Sequence, residues 1–306
     1  SIALHYVFDS PKDSFIFDTG HIGYTHKILT GRAKLFETLN SFKGMNRFIS
    51  PNESKHDKIE SSHAGTSIST ALGFAISNKL KRNDKNTIAI IGDGALCEGV
   101  ALEAINHAPK EKVNLLIVVN DNGFAISKGY GAIHDMLSSQ KNKSKNFFES
   151  LGYKISGPID GHNLNEIIKE LKRYKRRGGV RILHIKTNKG KGYSVAEKNS
   201  NKMHYSMPFE KKTGQLSSQP KSKSIQNFAS DAILQNMQKN KKIVCITPST
   251  RYATDLDRVF EKFKHRCFDP GMTEQHALSF ANGLSISGML PVVFFQSTFL
   301  QEVLIN

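Results

Sequence analysis

Two runs constrain this chain more than any other feature, Thr87-Ile88-Ala89-Ile90-Ile91 and Leu115-Leu116-Ile117-Val118-Val119. Each is short and almost continuously apolar, and Gly92 stops the first. The stretch between them, Ala95 to His107, has helical period. A strand that is apolar on both faces must be covered on both, which points to a parallel sheet between helices. Arg181 to Lys186 repeats the pattern, preceded by a helix from Leu164 to Tyr174. Residues 199–226 break it: they are rich in Lys, Ser, Gln and Asn, contain Pro208 and Pro220, and show no apolar period. This composition predicts a linker. The alternation then resumes with a helix from Ile225 to Gln238, a strand Ile243 to Ile246, a helix from Glu274 to about Ser287 and a strand Pro291 to Phe295. The expected division is 1–198, a linker 199–226, and a shorter α/β unit 227–306.

Composition excludes several classes. The 306 residues carry 43 Lys+Arg against 27 Asp+Glu, a formal charge of +16. The 38% apolar content rises to about 45% with glycine, the ordinary globular range, so the chain is not disordered. No run is long and apolar enough to span a membrane. Cys97, Cys245 and Cys267 lie far apart without a CxxC pair, which excludes a disulfide scaffold and fits a reducing compartment. The positive charge is dispersed. Its densest run, Lys172 to Arg177, falls where a helix should end, and cations suit that position. Without interleaved aromatics or a helix-turn-helix pattern, nucleic-acid binding is not expected. The chain opens at Ser1 inside an apolar stretch and shows no signal or transit peptide. The expectation is an N-terminus cut short and a cytoplasmic protein, or a plastid one had a transit peptide been lost.

The chemistry concentrates where strands end. Gly92-Asp93-Gly94 directly follows a strand and precedes a helix. Ligands bind at the carboxyl ends of parallel strands, glycine lets the backbone approach a phosphate, and the helix start offers free N–H groups. Asp93 is a hard oxygen ligand there. A carboxylate beside a phosphate calls for a divalent cation between them, and Mg²⁺ is the usual choice. A second ligand should come from the next strand end, Asn120-Asp121-Asn122, with Asn122 thirty residues after Gly92. That spacing is what one strand–helix–strand unit provides.

These residues resemble the thiamine diphosphate motif of transketolase-like enzymes. Further words are similar to the 1-deoxy-D-xylulose-5-phosphate synthase family: Gly20-His21, Tyr24 to Arg32, Ser62 to Ser69, Gly157 to His162, Lys189 to Tyr193, Thr273 to Ala277 and Ser297 to Gln301. They occur in the family's order over nearly the whole chain. The resemblance implies a parallel-sheet α/β fold that binds thiamine diphosphate, with one nearly complete diphosphate-binding domain and the start of a pyrimidine-binding domain. It implies Mg²⁺ held by the side chains of Asp93 and Asn122 and by the Phe124 carbonyl. Gly94 and Ala95 would hold the diphosphate, with His21 and His63 near it and near the reacting centre. Ala64, Gly65 and Tyr193 also enter the cofactor-binding set, and Phe299 would pack near the pyrimidine. His204 matches a family active-site histidine, whereas His5, His56, His134 and His265 read as structural.

Glu274 begins a helix whose Ala277, Phe280, Ala281 and Leu284 make one apolar stripe. A glutamate in a first turn is ordinary, since the helix dipole favours it. The surrounding word implies more: a carboxyl that hydrogen-bonds the cofactor's aminopyrimidine, with Glu274, His21 and His204 catalytic. The implied reaction condenses pyruvate with D-glyceraldehyde 3-phosphate, with loss of CO₂, to 1-deoxy-D-xylulose 5-phosphate, an entry to isoprenoids and a thiamine precursor. Family members are usually homodimers. The chain also departs from the pattern. It begins after the family's N-terminal segment, and only Ser138 to Asn146 stand where a longer insertion is usual. Gln296 replaces an aromatic residue, and Glu302 stands where a cation is expected. The alternatives are a partial or non-catalytic member of this family, and another enzyme of the transketolase type such as a transketolase or an acetyl-transferring dehydrogenase component.

Overall fold

The structure is a computed structural model of the 306-residue chain. It describes every residue except 62, 140–142, 200–202, 205, 219–221 and 303–306, and at 301 and 302 the backbone alone. Ser62, Tyr205, Pro220 and part of the Ser138 to Asn146 stretch, singled out above, therefore lie outside the described residues. The chain divides into two compact units, Ser1–Asn122 with Met136–Thr187, and Gly123–Asp135 with Asn188–Asn306.

The first unit is built on a sheet of β1 (Ser14–Phe17), β2 (Thr87–Gly92), β3 (Leu115–Asp121), β4 (Lys154–Asp160) and β5 (Val180–Lys186). The order is β1-β2-β3-β5-β4 and every pairing is parallel. β2 and β3 are the inner strands read from the sequence, and both are buried almost throughout. On one face Ile88, Ile90, Leu116 and Val118 pack with Leu4 of the helix Ile2–Val7, with Phe8 just after it, and with Leu171 and Tyr174 of the helix Leu164–Arg177. The helices Ser67–Leu80 and Gly99–His107 contribute the buried Ile68, Leu72, Ala101 and Ile105. Each fully buried aliphatic side chain stabilises by roughly 1.5–3 kcal/mol.

Two boundaries differ from the sequence reading. The helix expected over Ala95 to His107 is a short turn, Ala95–Cys97, then the helix Gly99–His107, because Glu98 between them is extended. The helix expected to end at Tyr174 continues through Arg177 and stops at Gly178, whose φ of 57° suits glycine. The basic run therefore fills the helix's last turns, and Lys175, Arg176 and Arg177 stand at its C-terminus.

The second unit holds a smaller parallel sheet of β6 (Ile243–Ile246), β7 (Cys267–Phe268) and β8 (Leu290–Val293), in the order β7-β6-β8. Cys245 joins Ile233, Met237, Leu256 and Val259 on one side of β6. Val244 and Ile246 meet Ala277 and Ala281, with Phe280 and Leu284, on the other. The apolar stripe of the helix Glu274–Ile286 is thus the face that packs. Ser224 and Asn227 form a reciprocal capping box at the start of the helix Ile225–Lys239. Within 199–226, Phe209 and Leu216 make an isolated antiparallel bridge, and Tyr193 stacks on Phe209.

Candidate functional site

Because β1, β2 and β3 run parallel, the segments following them emerge at one edge of the sheet, where parallel sheets bind ligands. Gly92 is registered with Asn120, so the Gly92-Asp93-Gly94 turn lies beside the end of β3. Two hydrogen bonds tie them together, one between backbones and one to the Asp93 side chain. The Asp93 N–H donates to the Asn120 carbonyl at 3.3 Å, and the Asn122 N–H donates to Asp93 Oδ1 at 3.4 Å. Asp93 is buried, only 3% exposed, and no atom lies within 4 Å of where a Cβ on Gly92 would stand. Gly94 and Ala95 open the turn that follows.

The local field is negative. Burial pushes the Cys97 thiol up to about 11, and the Asp93 and Glu98 carboxylates add to the effect. A cation would be stabilised there. Among the described residues there is no group of three or more His, Cys, Asp and Glu side chains that could hold a metal. One buried carboxylate and one amide side chain at adjacent strand ends are a hard-oxygen set with few ligands, which fits Mg²⁺ shared with a phosphate.

The loop carrying His63, Ala64 and Gly65 is fixed by Asp18, which follows β1. Asp18 accepts the N–H of Gly65 at 2.9 Å and of Ser67 at 3.1 Å, capping the helix Ser67–Leu80. Burial pushes the Asp18 carboxyl above its ordinary value, opposed by those hydrogen bonds. Gly65 has φ +81°, and a Cβ on it would come within 2.5 Å of Glu98 Cβ, so the loop is pressed against the turn after Asp93. His21 is exposed in the turn Gly20–Gly23. On the other side, the Thr187 hydroxyl donates to Asn120 Oδ1 at 2.9 Å, and the buried His184 and Asp121 pair at 2.9 Å. Asn120 and Asp121 thus engage β5 and the residue after it, while Asn122 engages the Asp93 turn.

Asp18, His184 and Thr187 were missed by the sequence reading. Asp18 sits just before the Gly20-His21 word, and His184 is a polar residue inside an apolar run; only those local oddities signal them. The remaining expected residues belong to the second unit. Glu274 is buried at 5% exposure in the first turn of its helix, behind Thr273. Ahead of it, Asp269 accepts the N–H groups of Ser249 and Gly271 and fixes the loop. The Tyr193 hydroxyl donates to the Lys211 carbonyl at 2.7 Å. Phe124 lies under Lys189 Nζ, 5.5 Å from its ring centre. His204 and Phe299 are half-buried.

A family profile described as 1-deoxy-D-xylulose-5-phosphate synthase matches residues 1–146 and 138–187, two blocks that meet where the family's longer insertion was expected. A profile described as the transketolase pyrimidine binding domain matches residues 221–306. Relatives with the name 1-deoxy-D-xylulose-5-phosphate synthase include one from Listeria monocytogenes, 42% identical over 99% of this chain and 52% of its own length. Those from Clostridium acetobutylicum and Exiguobacterium sibiricum are 40% and 38% identical over 99% of this chain and 55% of theirs. The chain thus spans about half the length of these curated relatives. With matching profiles over both units and these relatives along its whole length, the chain belongs to the 1-deoxy-D-xylulose-5-phosphate synthase family of transketolase-type transferases.

Proposed function

We propose that this chain carries the diphosphate- and Mg²⁺-binding part of a thiamine diphosphate site, together with the opening part of the pyrimidine-binding half. The reaction it would serve is the condensation of pyruvate with D-glyceraldehyde 3-phosphate, with loss of CO₂, to 1-deoxy-D-xylulose 5-phosphate, in a homodimer. The observation that carries the reading is the buried Asp93 carboxylate tied to Asn122 at adjacent parallel strand ends.

Asp93 and Asn122 would supply side-chain oxygens to Mg²⁺, and Phe124 its carbonyl. The N–H groups of Gly94 and Ala95 would face the diphosphate, with His21, His63, Ala64 and Gly65 lining it. Asp18 acts here by holding the loop rather than by touching the ligand. Glu274 would orient the aminopyrimidine through its carboxyl, and Tyr193, Phe299 and His204 would complete the set. When bound, the cofactor supplies the electron sink for decarboxylating a 2-oxo acid.

The test is calorimetric titration of the folded chain with thiamine diphosphate, with and without Mg²⁺, in wild type and Asp93→Ala. Saturable binding that requires Mg²⁺ and weakens at least about tenfold in Asp93→Ala is expected. A chain folded by circular dichroism that binds nothing overturns the site. CO₂ release from pyruvate then separates a catalytic from a binding-only chain, and product analysis with D-glyceraldehyde 3-phosphate separates this reaction from those of other transketolase-type enzymes.

A further inference from the structure

The basic run on the helix Leu164–Arg177 has no role in the site above. It borders a cavity of about 580 Å³ in the first unit. Arg173 and Arg177 are one helical turn apart and face the same way. Arg181 follows on β5, registered directly with Lys154 on β4. All four cations line the cavity, with Tyr153 and Glu149. Lys154 and Arg181 stand at the starts of their strands, whereas Asp93 and Asn122 follow the ends of β2 and β3. The cavity is therefore at the opposite edge of the sheet from the candidate site.

The cations are only partly neutralised. Arg173 lies 3.5 Å from Glu170, and Glu149 lies 3.9 Å from Lys145. Among the described residues no ion pair involves Lys154, Arg177 or Arg181. Burial, then the charges of Arg177 and Arg173, hold the Arg181 guanidinium below its ordinary value. Arg181 Nε donates to the Gly178 carbonyl at 2.7 Å, which fixes the direction of the guanidinium. Like charges gathered from three elements into one concavity are unfavourable without an anion. Arginine forks match phosphate oxygens bidentately. The volume falls in the range of small-molecule pockets, and one phosphate would not fill it. Nucleic-acid binding fits less well, since it calls for an extended stripe with exposed stacking rings, and Tyr153 and Tyr174 are buried.

We propose that the cavity between the helix Leu164–Arg177 and the starts of β4 and β5 binds a small molecule bearing a di- or triphosphate group, through Arg173, Arg177, Arg181 and Lys154. The probe is inorganic triphosphate, titrated calorimetrically into the full chain in the presence of EDTA. Saturable one-to-one binding is expected. It should weaken at least tenfold in Arg177→Ala/Arg181→Ala and stay within twofold in the charge-matched control Lys211→Ala/Lys212→Ala. Arg177→Ala alone is the second variant, because Arg177 is exposed and its loss leaves the Arg181 to Gly178 bond in place; it should weaken binding at least threefold. Equal weakening in the lysine control would mean attraction to net charge alone and overturns the proposal. So does unchanged affinity in Arg177→Ala, or a single-stranded RNA oligonucleotide that outcompetes triphosphate at the same site.

Discussion

The two units use charge in opposite ways. In the first, Asp57 has a fully buried side chain that accepts both Nη atoms of Arg32, at 2.6 and 2.8 Å, and Nε2 of His26 at 3.0 Å. Lys27, equally buried, pairs with Glu53 at 2.6 Å. In the second, Asp231 pairs with Lys223 at 2.8 Å and Arg258 at 2.7 Å, but those partners are 61% and 54% exposed. Similar distances carry different weight. Exposed pairs are screened and hold flexible side chains at an entropic cost, so they contribute little. The buried network fixes geometry. Asp57 also accepts the Ser50 N–H, and Glu53 the Asn46 N–H, so residues 26–32 are bound to residues 46–57 where regular structure is sparse. That stretch joins His21 to the His63–Gly65 loop.

The strongest way to break this contrast is to remove one acceptor from each network. Asp57→Ala would leave the buried Arg32 with Glu53 alone, at 3.3 Å, in place of its bidentate carboxylate, a loss of about 3 kcal/mol. Asp231→Ala should leave the urea midpoint nearly unchanged. Urea unfolding followed by circular dichroism checks both, and comparable losses in the two variants would mean that burial does not set the value of these pairs.

The contrast also marks what the sequence makes legible. β2 and β3 are covered on both faces, so their apolar runs are unbroken, and Gly92 and Asn122 mark their ends. The placement of Asp93 and Asn122 just past two adjacent strand ends could be read because the apolar runs stop shortly before them. β1 has only four residues, and β4 contains Gly157-Pro158 and is mostly half-buried, so neither shows a run. The buried network was illegible for another reason. Asp57 meets Arg32 and His26 across 25 and 31 residues, and no local period connects them. Asp18 reaches Gly65 over 47 residues. Pairings of that range are set by tertiary packing, and in the sequence they are isolated polar residues.

Apolar burial sharpens the comparison at an intermediate level. Ile117, at the middle of β3, is fully buried, whereas Val292 on β8 is 37% exposed. Ile117→Ala should cost about 2–5 kcal/mol through lost transfer energy and the cavity left behind. Val292→Ala removes less area, already partly in water, and should cost under about 1 kcal/mol. Paired urea midpoints at constant m-value check this. A large loss for Val292→Ala would show that the edge of the smaller sheet is more tightly packed than its exposure implies.

The smallest expected effect is a pH dependence seated in the first unit. His5 Nε2 lies 2.8 Å from His26 Nδ1, next to the buried network. Burial, then His26, the N-terminal amine and His56, lower the His5 pKa from 6.5 to about 4. The folded state therefore disfavours the charged ring. Its stabilising contribution is complete above about pH 6.5 and is lost as pH falls from there toward 4, where the unfolded chain binds the extra proton. Asp57, held well below the usual carboxylate range, acts in the same direction but only below its ordinary value of 3.8. Asp18 and Asp269, raised by burial, act in the opposite direction. Comparison with His5→Gln cancels these other groups and leaves the His5 share, of the order of 1 kcal/mol after solvent screening. Hydrogen exchange at pH 7 and pH 5, corrected for intrinsic rates, should show peptides from residues 2–17 losing more protection than peptides from 243–286. In His5→Gln that difference should shrink. An unchanged difference would move the pH sensitivity away from His5 and onto another group of the first unit, such as His56, which burial also holds below its ordinary value.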